Sequence, residues 1–407
     1  GSLSVAADVT VLSLLSLLPA VAIFLATLTL SAQERRVLVL VVIAFALVSV
    51  VFGLMQLSQG PASALRFYEI TNIEDAVGFF ANRNHFSAFL NCALVFTSVG
   101  FLFAASEAGL GSLSGTWRQV WLIAGFTLIV SLVAAQAMTR SRAGVGIALV
   151  ALALIGAMMP GLLRVKDARS NPIRALAMAI GLGFVLAIQY GAFRLIERFD
   201  VDPLKDARRG FAENTYDAIV AFLPFGSGLG TFTQVYPAFE RLDTVLVSTY
   251  VNRAHNDLVE YVLEGGVLAA AILGIGVVAF LKGVLPLWFG GKTMTIDLML
   301  QRAAACVLVL ILLHSIVDYP LRTASMLSVM ALAAALLLSK GSAPSPLVES
   351  ARREGKKKRG MSQAPQAVSA RSMPADDSIG AASPPRGAWG ADMVWPDAWK
   401  KEPKEGG

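Results

Sequence analysis

Apolar runs of membrane-spanning length alternate with short polar loops along most of this chain. A helix needs about 20 mostly apolar residues to cross a hydrocarbon core, where it satisfies its own backbone hydrogen bonds. The sequence contains about nine such runs. It therefore predicts an all-α polytopic membrane protein, with spans at 10–31, 37–57, 85–104, 119–138, 143–163, 174–193, 258–281, 303–319 and 324–339.

Two polar segments interrupt this pattern. Residues 194–257 are too few for a domain with its own core, so we expect this loop to lie against the helices and to contain a short amphipathic helix. Beyond residue 340 the chain is rich in Pro, Ser, Gly, Ala and charge, which cannot bury a core. The predicted domains are transmembrane helices one to six in 1–193, the loop 194–257, transmembrane helices seven to nine in 258–340 and a disordered basic tail in 341–407.

Composition agrees with a membrane protein and argues against other classes. Of the 407 residues, 56% are hydrophobic and only 15% are charged, which is too apolar for a set of soluble domains. Cys92 and Cys306 both lie inside apolar runs, so neither a disulfide framework nor a cysteine metal site is indicated. No cluster of Cys, His and Asp has the spacing of metal ligands, and we expect neither a metal nor a cofactor.

Basic loop residues orient the spans, because Lys and Arg accumulate on the cytoplasmic side. One orientation places the basic clusters inside, including the tail run 356–359, which we interpret as a topology signal and not as a nucleic-acid site. The C-terminus is then cytoplasmic, whereas the N-terminus and the loop 194–257 lie outside. No signal peptide is evident, and the chain starts with Gly-Ser and not with Met, which is compatible with the loss of early helices. The inside clusters before the tail are Arg35 and Arg36; Arg164, Lys166, Arg169 and Arg174; and Lys282, Lys292 and Arg302.

Two arginine-bearing segments face the outside in this orientation. Arg83 and Asn84 directly precede the third span, where they either cap and anchor the helix or contact a substrate. A tight turn before span five holds Arg140 and Arg142 at membrane level. These two cations either snorkel to lipid headgroups or serve a function, and their number and their departure from the charge rule favour a function.

The loop 194–257 ends in two further candidate segments. A glycine-rich stretch at 225–232 is either a plain turn or a cradle for phosphate oxygens; no strand precedes it, so a dinucleotide site is rejected. Span seven is predicted to start near residue 256, where His255 lies beside an arginine, an amide and carboxylates. His255 is either an ordinary polar histidine or a catalytic base, and its neighbours favour the base. The candidates in this segment are Arg253, His255, Asn256 and Glu260.

Span eight ends in another group of ionisable residues. His314 and Asp318 are four positions apart, so they share a helix face and can pair inside the bundle. Arg322 follows at the outer surface. The pair is either a polar clasp between helices or part of the site.

These residue types together suit transfer from a lipid-linked phosphate or diphosphate. A guanidinium donates two parallel charge-assisted hydrogen bonds to phosphate. In glycosyl transfer, a base takes a proton from the acceptor hydroxyl while cations stabilise the leaving phosphate. His255 fits the first role and Arg140, Arg142 or Arg253 the second, so no divalent metal is required.

Five strings, in this order and on one predicted membrane face, resemble the O-antigen ligase and O-antigen polymerase superfamily of bacterial inner-membrane glycosyltransferases. The resemblance covers most of residues 37–340. The five motif strings are FFANRNHFSAFL at 79–90, TRSRAG at 139–144, FGSGLGTF at 225–232, AHNDLVEYVLEGG at 254–266 and HSIVDYPLR at 314–322.

The resemblance implies a GT-C-like helical bundle in the bacterial inner membrane with one large periplasmic loop. It implies a donor glycan on undecaprenyl diphosphate and metal-independent, inverting transfer to lipid A core, a growing glycan or another acceptor on the periplasmic face. His255 would be the base, Arg142 would bind the diphosphate and Arg253 would assist. Further candidates for substrate binding are Arg140, Asn84, Arg83, Glu260, Asn256 and Arg322, whereas Asn82 and Asp318 match motif positions without a role.

A transporter or flippase of lipid-linked glycan is the alternative function. It predicts ionisable residues near the membrane midplane and often an internal repeat, whereas here such residues concentrate at the outer boundary and no repeat is evident. A membrane protease or phosphatase lacks a convincing nucleophile, since Ser141 and Ser227 have no histidine partner predictable from the sequence. The motifs do not separate a ligase from a polymerase or a protein glycosyltransferase, nor do they give the sugar, the linkage or the oligomeric state.

Overall fold

The computed structural model describes residues 4–68, 73–105, 115–158, 172–197, 203–242, 245, 250–289 and 295–339. Within these ranges all regular structure is helical. The predicted tail 341–407 lies outside the described residues. Two short 3-10 helices, Tyr236–Ala238 and Pro320–Arg322, accompany α1 (Ala7–Leu15), α2 (Leu18–Thr29), α3 (Ala32–Gln59), α4 (Arg83–Ala105), α5 (Gly115–Thr139), α6 (Arg142–Ala157), α7 (Pro172–Glu197), α8 (Pro203–Phe222), α9 (Phe232–Val235), α10 (Asp257–Phe289), α11 (Ile296–Val317) and α12 (Ala324–Leu338).

Six helical stretches in the described part of the chain are long and apolar enough to cross a membrane, which confirms an all-α membrane protein. Three other predicted spans coincide with the shorter apolar helices Arg142–Ala157, Arg174–Leu186 and Ala324–Leu338, so the number nine remains a prediction. The six long stretches are Ala7–Thr29, Ala32–Gln59, Arg83–Ala105, Gly115–Thr139, Asp257–Phe289 and Ile296–Val317.

The helices α4 and α11 form the centre of the bundle. In the most apolar stretch of each helix, 83% of the residues of α4 and 72% of those of α11 are buried inside the protein, against 6% for α10. The two helices pack on each other, and both also contact α6. Peripheral α10 instead exposes apolar side chains such as Leu268 and Ile275, as expected for a helix that faces hydrocarbon. The site described below lies where the two central helices end, so the best-packed elements hold it.

The turn before α6 is fixed tightly to α4. The Ser141 hydroxyl caps α6 by accepting a hydrogen bond from the Gly144 amide at 3.0 Å. A Cβ atom at Gly144 would lie 1.7 Å from the Ser87 Oγ, so only glycine allows this approach of the two helices. The Asn91 side chain donates to the Gly144 carbonyl at 3.0 Å. These contacts set the position of the TRSRAG turn relative to α4.

The polar segment after α7 packs on α10. The amphipathic helix α8 has 20 residues, longer than the short helix expected there. A small apolar cluster joins it to the following turn and to α10 through the buried side chains of Phe211, Phe232, Tyr236 and Leu263. This cluster supports the segment that leads into α10, which carries His255.

A partly exposed ion pair lies at the opposite end of the bundle. Arg36 at the start of α3 pairs with Asp297 at the start of α11, with an NH2 to Oδ1 distance of 2.8 Å. The Arg36 side chain is 41% exposed. This ion pair is a useful reference for the charged clusters at the other end.

Candidate active site

The five motif strings meet at one end of the bundle. The start of α4, the start of α6, the start of α10, the end of α11 and the glycine-rich turn all contribute to it. Residues far apart in sequence therefore share one site. The contacts that join the strings are Ser141 Oγ to Asn84 Oδ1 at 2.7 Å, His255 Nδ1 to Asp318 Oδ1 at 3.1 Å, the Phe232 amide to Glu264 Oε1 at 3.3 Å, and the rings of His85 and Tyr319 at 5.0 Å.

His255 occupies a strained position directly before α10. Its φ of 51° lies in the left-handed region, which costs an ordinary residue about 1–3 kcal/mol and persists only where surrounding contacts impose it. Its ring lies 6.0 Å from that of Phe211 and 5.1 Å from that of Tyr319. The side chain is 21% exposed. The imidazole thus packs against two aromatic rings and is still accessible.

Asp318 fixes the proton arrangement of that imidazole. Its Oδ1 accepts the hydrogen bond of the His255 Nδ1, which leaves Nε2 as the acceptor nitrogen. The other oxygen, Oδ2, is buried and has no hydrogen-bond partner among the described residues. Burial raises the pKa of the Asp318 carboxyl, but the hydrogen bond from His255 and the nearby histidines outweigh burial and lower the pKa to about 2. The carboxyl is therefore ionised and stabilises a positive charge on His255.

All three histidines of the chain lie close enough to Asp318 to lower the pKa of its carboxyl. His85, on α4, is 2% exposed, and the rings of His85 and His255 both pack against Tyr319. His314 lies one helical turn before Asp318. Burial and the Asp318 charge raise the pKa of the Tyr319 phenol, so this group stays protonated. Asp318 is thus the centre of a histidine cluster formed by His85, His255, His314 and Tyr319.

A second cluster fixes the start of α10. Glu260 is fully buried; its Oε1 lies 2.9 Å from Arg253 NH1, and its Oε2 accepts the Ala254 amide at 2.9 Å. Arg322 NH1 lies 2.7 Å from Glu264 Oε2, and Arg322 Nε lies 3.4 Å from Glu260 Oε1. We call Arg322, Asp257, Glu260 and Glu264 the carboxylate cluster. Burial lowers the pKa of Arg322, but the surrounding carboxylates outweigh burial and raise it.

Three predicted substrate-binding residues at this junction, Glu260, Arg322 and Asn256, have partners within the protein. Glu260 positions the backbone before His255 through Ala254, and Arg322 lies among carboxylates. The Asn256 Oδ1 accepts the amides of Leu258 and Val259, and its Nδ2 donates to the Ile316 carbonyl at 2.9 Å. Asn256 is thus the N-cap of α10, where the sequence predicted the helix to begin. Substrate contact by Asn256, Glu260 and Arg322 stays a prediction.

The arginines before α4 and α6 surround a buried carboxylate. Arg83 NH1 lies 2.5 Å from Asp75 Oδ2, and Arg140 NH1 lies 3.2 Å from Asp75 Oδ1. Arg140 has a φ of 48°, the second left-handed side-chain-bearing residue among those described. Arg142, the first residue of α6, is partly exposed. The side chain of Asn84 binds Ser141 between the two arginines of the turn, so the predicted residues Arg83, Asn84 and Arg140 are brought together.

The glycine-rich turn packs on α10. The amides of Ser227 and Gly228 donate to the carbonyls of Leu263 and Glu264 at 3.0 and 2.9 Å. Gly226 has a φ of 81°, and a Cβ there would lie 2.5 Å from the Glu264 carbonyl oxygen. These amide groups are engaged within the protein, which supports the plain turn over the phosphate cradle.

Three residues of the site were not singled out as candidates from the sequence. His85, Tyr319 and Asp75 each lie in or beside a motif string, but their roles depend on contacts across 8 to 237 residues. The i, i+4 pattern at the end of α11 did mark Asp318, although as a partner of His314. The sequence does carry a signal for each of them. His85 is a histidine at a helix end, and Tyr319 and Asp75 are a tyrosine and an acid in or beside arginine-containing strings.

Comparison with known proteins agrees with the motif strings. Residues 126–274 match the family model described as O-antigen ligase. The matched segment contains the TRSRAG turn, the glycine-rich turn and the segment from Arg253 to Glu260, and it ends before Asp318. No curated protein and no solved structure matches the chain.

Proposed function

We propose that this chain, whose residues 126–274 match the O-antigen ligase family model, belongs to that family and moves a glycan from undecaprenyl diphosphate to an acceptor hydroxyl on the periplasmic face. The family implies a glycosyltransferase with a lipid-linked glycan and an acceptor as substrates in a lipid bilayer. The observation that carries the finer proposal is the His255 and Asp318 pair beside Arg253. The base and the guanidinium lie in the short segment before α10, and the orienting carboxylate of Asp318 contacts the base.

His255 is the proposed base. Asp318 holds the Nδ1 proton, so Nε2 accepts the proton of the acceptor hydroxyl. The charge on Asp318 then stabilises the imidazolium that forms. The packing of Phe211 and Tyr319 against the ring limits its rotation, which favours one reactive geometry.

Arg142 and Arg253 are the proposed partners of the leaving diphosphate. The Arg253 side chain is 29% exposed and is held at 2.9 Å by Glu260, so its position is fixed although part of the guanidinium remains accessible. Fixed guanidiniums stabilise the charge that develops on the leaving oxygens. We propose that these arginines serve as the electrophilic clamp and that no divalent metal takes part.

The reaction follows as a single displacement. The acceptor oxygen, losing its proton to His255, forms a bond to the anomeric carbon of the donor glycan. The bond from that carbon to the diphosphate oxygen breaks, and the electron pair leaves with undecaprenyl diphosphate. Attack opposite to the leaving group inverts the anomeric configuration. The acceptor is lipid A core for a ligase or a growing glycan for a polymerase.

The proposed membrane arrangement follows from the charge pattern. Nine spans with the motif end facing the periplasm leave the basic loops and the C-terminus in the cytoplasm of the bacterial inner membrane. The common location of the five motif strings at one end of the bundle supports a single reactive face. The N-terminal segment is compatible with this arrangement, since the Val5 amide donates to the Ser227 carbonyl of the glycine-rich turn at 2.9 Å.

Reconstituted transfer tests the proposal. The full chain in lipid nanodiscs is mixed with undecaprenyl-diphosphate glycan and acceptor, without a gradient or a nucleotide, and glycosylated acceptor is measured. Product formation that is lost in His255→Ala and Arg142→Ala supports the proposal, and Arg36→Gln at the opposite end is the matched control. A transporter would yield no product under these conditions. Normal surface polysaccharide in cells that carry either site variant would also contradict the proposal.

A further inference from the structure

Three guanidiniums converge on Asp75, and one of them is incompletely paired. Arg83 and Arg140 approach the Asp75 carboxylate, while Arg66 NH1 donates to the Asp75 backbone carbonyl at 3.0 Å. The Arg66 residue is partly exposed, but its Nε and NH2 atoms are buried and have no hydrogen-bond partner among the described residues. Buried charged donors without partners are rare in proteins, because they lose hydration without compensation. Their presence indicates a partner that is not part of this chain's described residues.

The charge balance gives the sign of that partner. Among the described residues, three cations face one fully buried carboxylate, since Asp75 is 1% exposed. The Glu74 carboxylate lies 3.7 Å from Arg140 NH1 but is 67% exposed, so water screens it. Burial lowers the pKa of Arg66 more than Asp75 raises it, which means that the site still disfavours this cation. An added anion would relieve the imbalance.

The surroundings connect this cluster to the proposed reaction. Arg140 is followed by Ser141 and Arg142, and Arg83 is followed by Asn84, which binds the Ser141 hydroxyl. Arg140 also holds a left-handed φ of 48°, a strained conformation of the kind that clusters at functional sites. Forked guanidinium donors match the oxygens of phosphate groups.

We infer that Arg66, Arg83 and Arg140, gathered by Asp75, form a binding site for a phosphate group that is separate from the proposed diphosphate clamp of Arg142 and Arg253. Arg66 supplies the free donors, and Asp75 holds the three guanidiniums at a fixed spacing. The phosphate belongs either to the donor or to a phosphorylated acceptor. Only this choice of source rests on the proposed function.

Binding of inorganic pyrophosphate to the full chain in detergent tests the site. The starting protein is Arg142→Gln/Arg253→Gln, which removes the proposed clamp, and thermal unfolding is followed as pyrophosphate is added. A ligand that binds the folded state raises the unfolding midpoint in a saturable way. We expect this protein to retain pyrophosphate binding. Addition of Arg66→Gln should weaken the affinity by about tenfold or more, because each hydrogen bond lost from a charged group lowers the affinity by about that factor. Addition of Arg36→Gln should leave the affinity unchanged.

Two outcomes would overturn the inference. One is loss of all pyrophosphate binding in Arg142→Gln/Arg253→Gln, and the other is an unchanged affinity after addition of Arg66→Gln. If Arg66→Gln does not fold, Arg66→Lys keeps the charge but not the fork, and it should also weaken binding. An unchanged affinity in that variant counts against the site.

Steady-state transfer by the single variant Arg66→Gln identifies the source of the phosphate. A raised KM for the lipid diphosphate supports a donor group, and a raised KM for the acceptor supports an acceptor phosphate. Unchanged values of both overturn a role in the reaction. Absence of transfer by the unmodified protein would contradict the proposed function. The inferred phosphate site would still be supported if Arg66→Gln weakens pyrophosphate binding.

Discussion

Two charged clusters meet at the junction of α10 and α11, and they differ in what their contacts leave available. In the carboxylate cluster, Glu260 and Glu264 are fully buried and each of their four oxygens has a protein partner. Asp257 Oδ1 and Arg322 NH2 are buried without a hydrogen-bond partner among the described residues, but both side chains take part in ion pairs. In the histidine cluster, His255 is partly exposed and has a strained backbone, and Asp318 keeps one oxygen without a partner. The comparison indicates that the fully buried, ion-paired glutamates hold the fold, whereas the partly exposed imidazole of His255 remains available for chemistry.

The largest expected effect separates activity from stability in the histidine cluster. His255→Gln keeps a polar side chain of similar size but removes the base, so we expect transfer to fall by about 10²–10⁴-fold. The unfolding midpoint should fall only modestly, because the side chain is partly exposed, although buried Asp318 loses its hydrogen bond to the imidazole. Initial rates in nanodiscs and thermal unfolding measure the two quantities. A rate within a few-fold of the unmodified protein would remove His255 from the mechanism.

Substitution of Arg322 in the carboxylate cluster should instead lower the stability of the fold. Arg322→Met leaves Asp257, Glu260 and Glu264 without their shared cation, and breaking a buried ion pair from one side costs about 3–5 kcal/mol. Arg36→Met removes the partly exposed pair with Asp297 and should cost about 0–1 kcal/mol. Reversible denaturant unfolding in detergent measures both. Equal losses of stability in the two variants would contradict the structural role given to Arg322.

Asp318→Asn probes the carboxylate that links the two roles. The amide keeps the shape but not the charge that stabilises imidazolium, so we expect transfer to fall by about 10²-fold. Combining it with His255→Gln should add little further loss, since both act on one imidazole. A fully additive loss in the double variant would separate the two residues.

The same carboxylate predicts an acid dependence of stability. Folding lowers the pKa of Asp318 from 3.8 to about 2, so its ionised form stabilises the fold at any pH above the ordinary value. That contribution is lost as the pH falls from about 4 through about 2. The difference in unfolding midpoint between the unmodified protein and Asp318→Asn should shrink as the pH falls below about 4. A difference that persists undiminished down to about pH 2 would contradict this assignment.

The smallest effect is expected at the N-cap of α10. Asn256→Ala removes a side chain that accepts from Leu258 and Val259, which should cost about 1 kcal/mol of stability, whereas Asn256→Asp keeps the cap. If capping is its main role, Asn256→Asp should retain most transfer activity. A large fall in activity in Asn256→Asp, with stability retained, would restore substrate contact as its role.

Part of the site was predictable because it depends on local pattern. The apolar runs predicted the long helices, and a cap-forming amide predicted where α10 begins. The tight arginine turn marked Arg140 and Arg142 as candidates, and the polar neighbours of His255 marked it as a candidate base. The partner of Asp318 was not predictable in this way. Its four-residue spacing from His314 suggested a pair on one helix face, but α11 ends at Val317 and Asp318 is extended, with φ −157° and ψ −165°.

The extended conformation explains why Asp318 turns to a distant residue. A side chain beyond the last helical residue no longer follows the i, i+4 geometry, and here it forms its hydrogen bond with His255, 63 positions away in the chain. Arg322 shows the same limit. Its position after a span suggested an outer surface, yet Glu260 and Glu264 on α10 enclose it.

The sequence by itself determined that this protein is a helical membrane protein, where its long helices run and which strings carry the family resemblance, because hydropathy and short motifs act locally. Only the tertiary structure decided which charges share a site. The packing of α4 against α11 brings His85 and Asp318 together, and the turn before α10 adds His255. Such contacts arise from the ends of separate helices, and no periodicity within one helix encodes them.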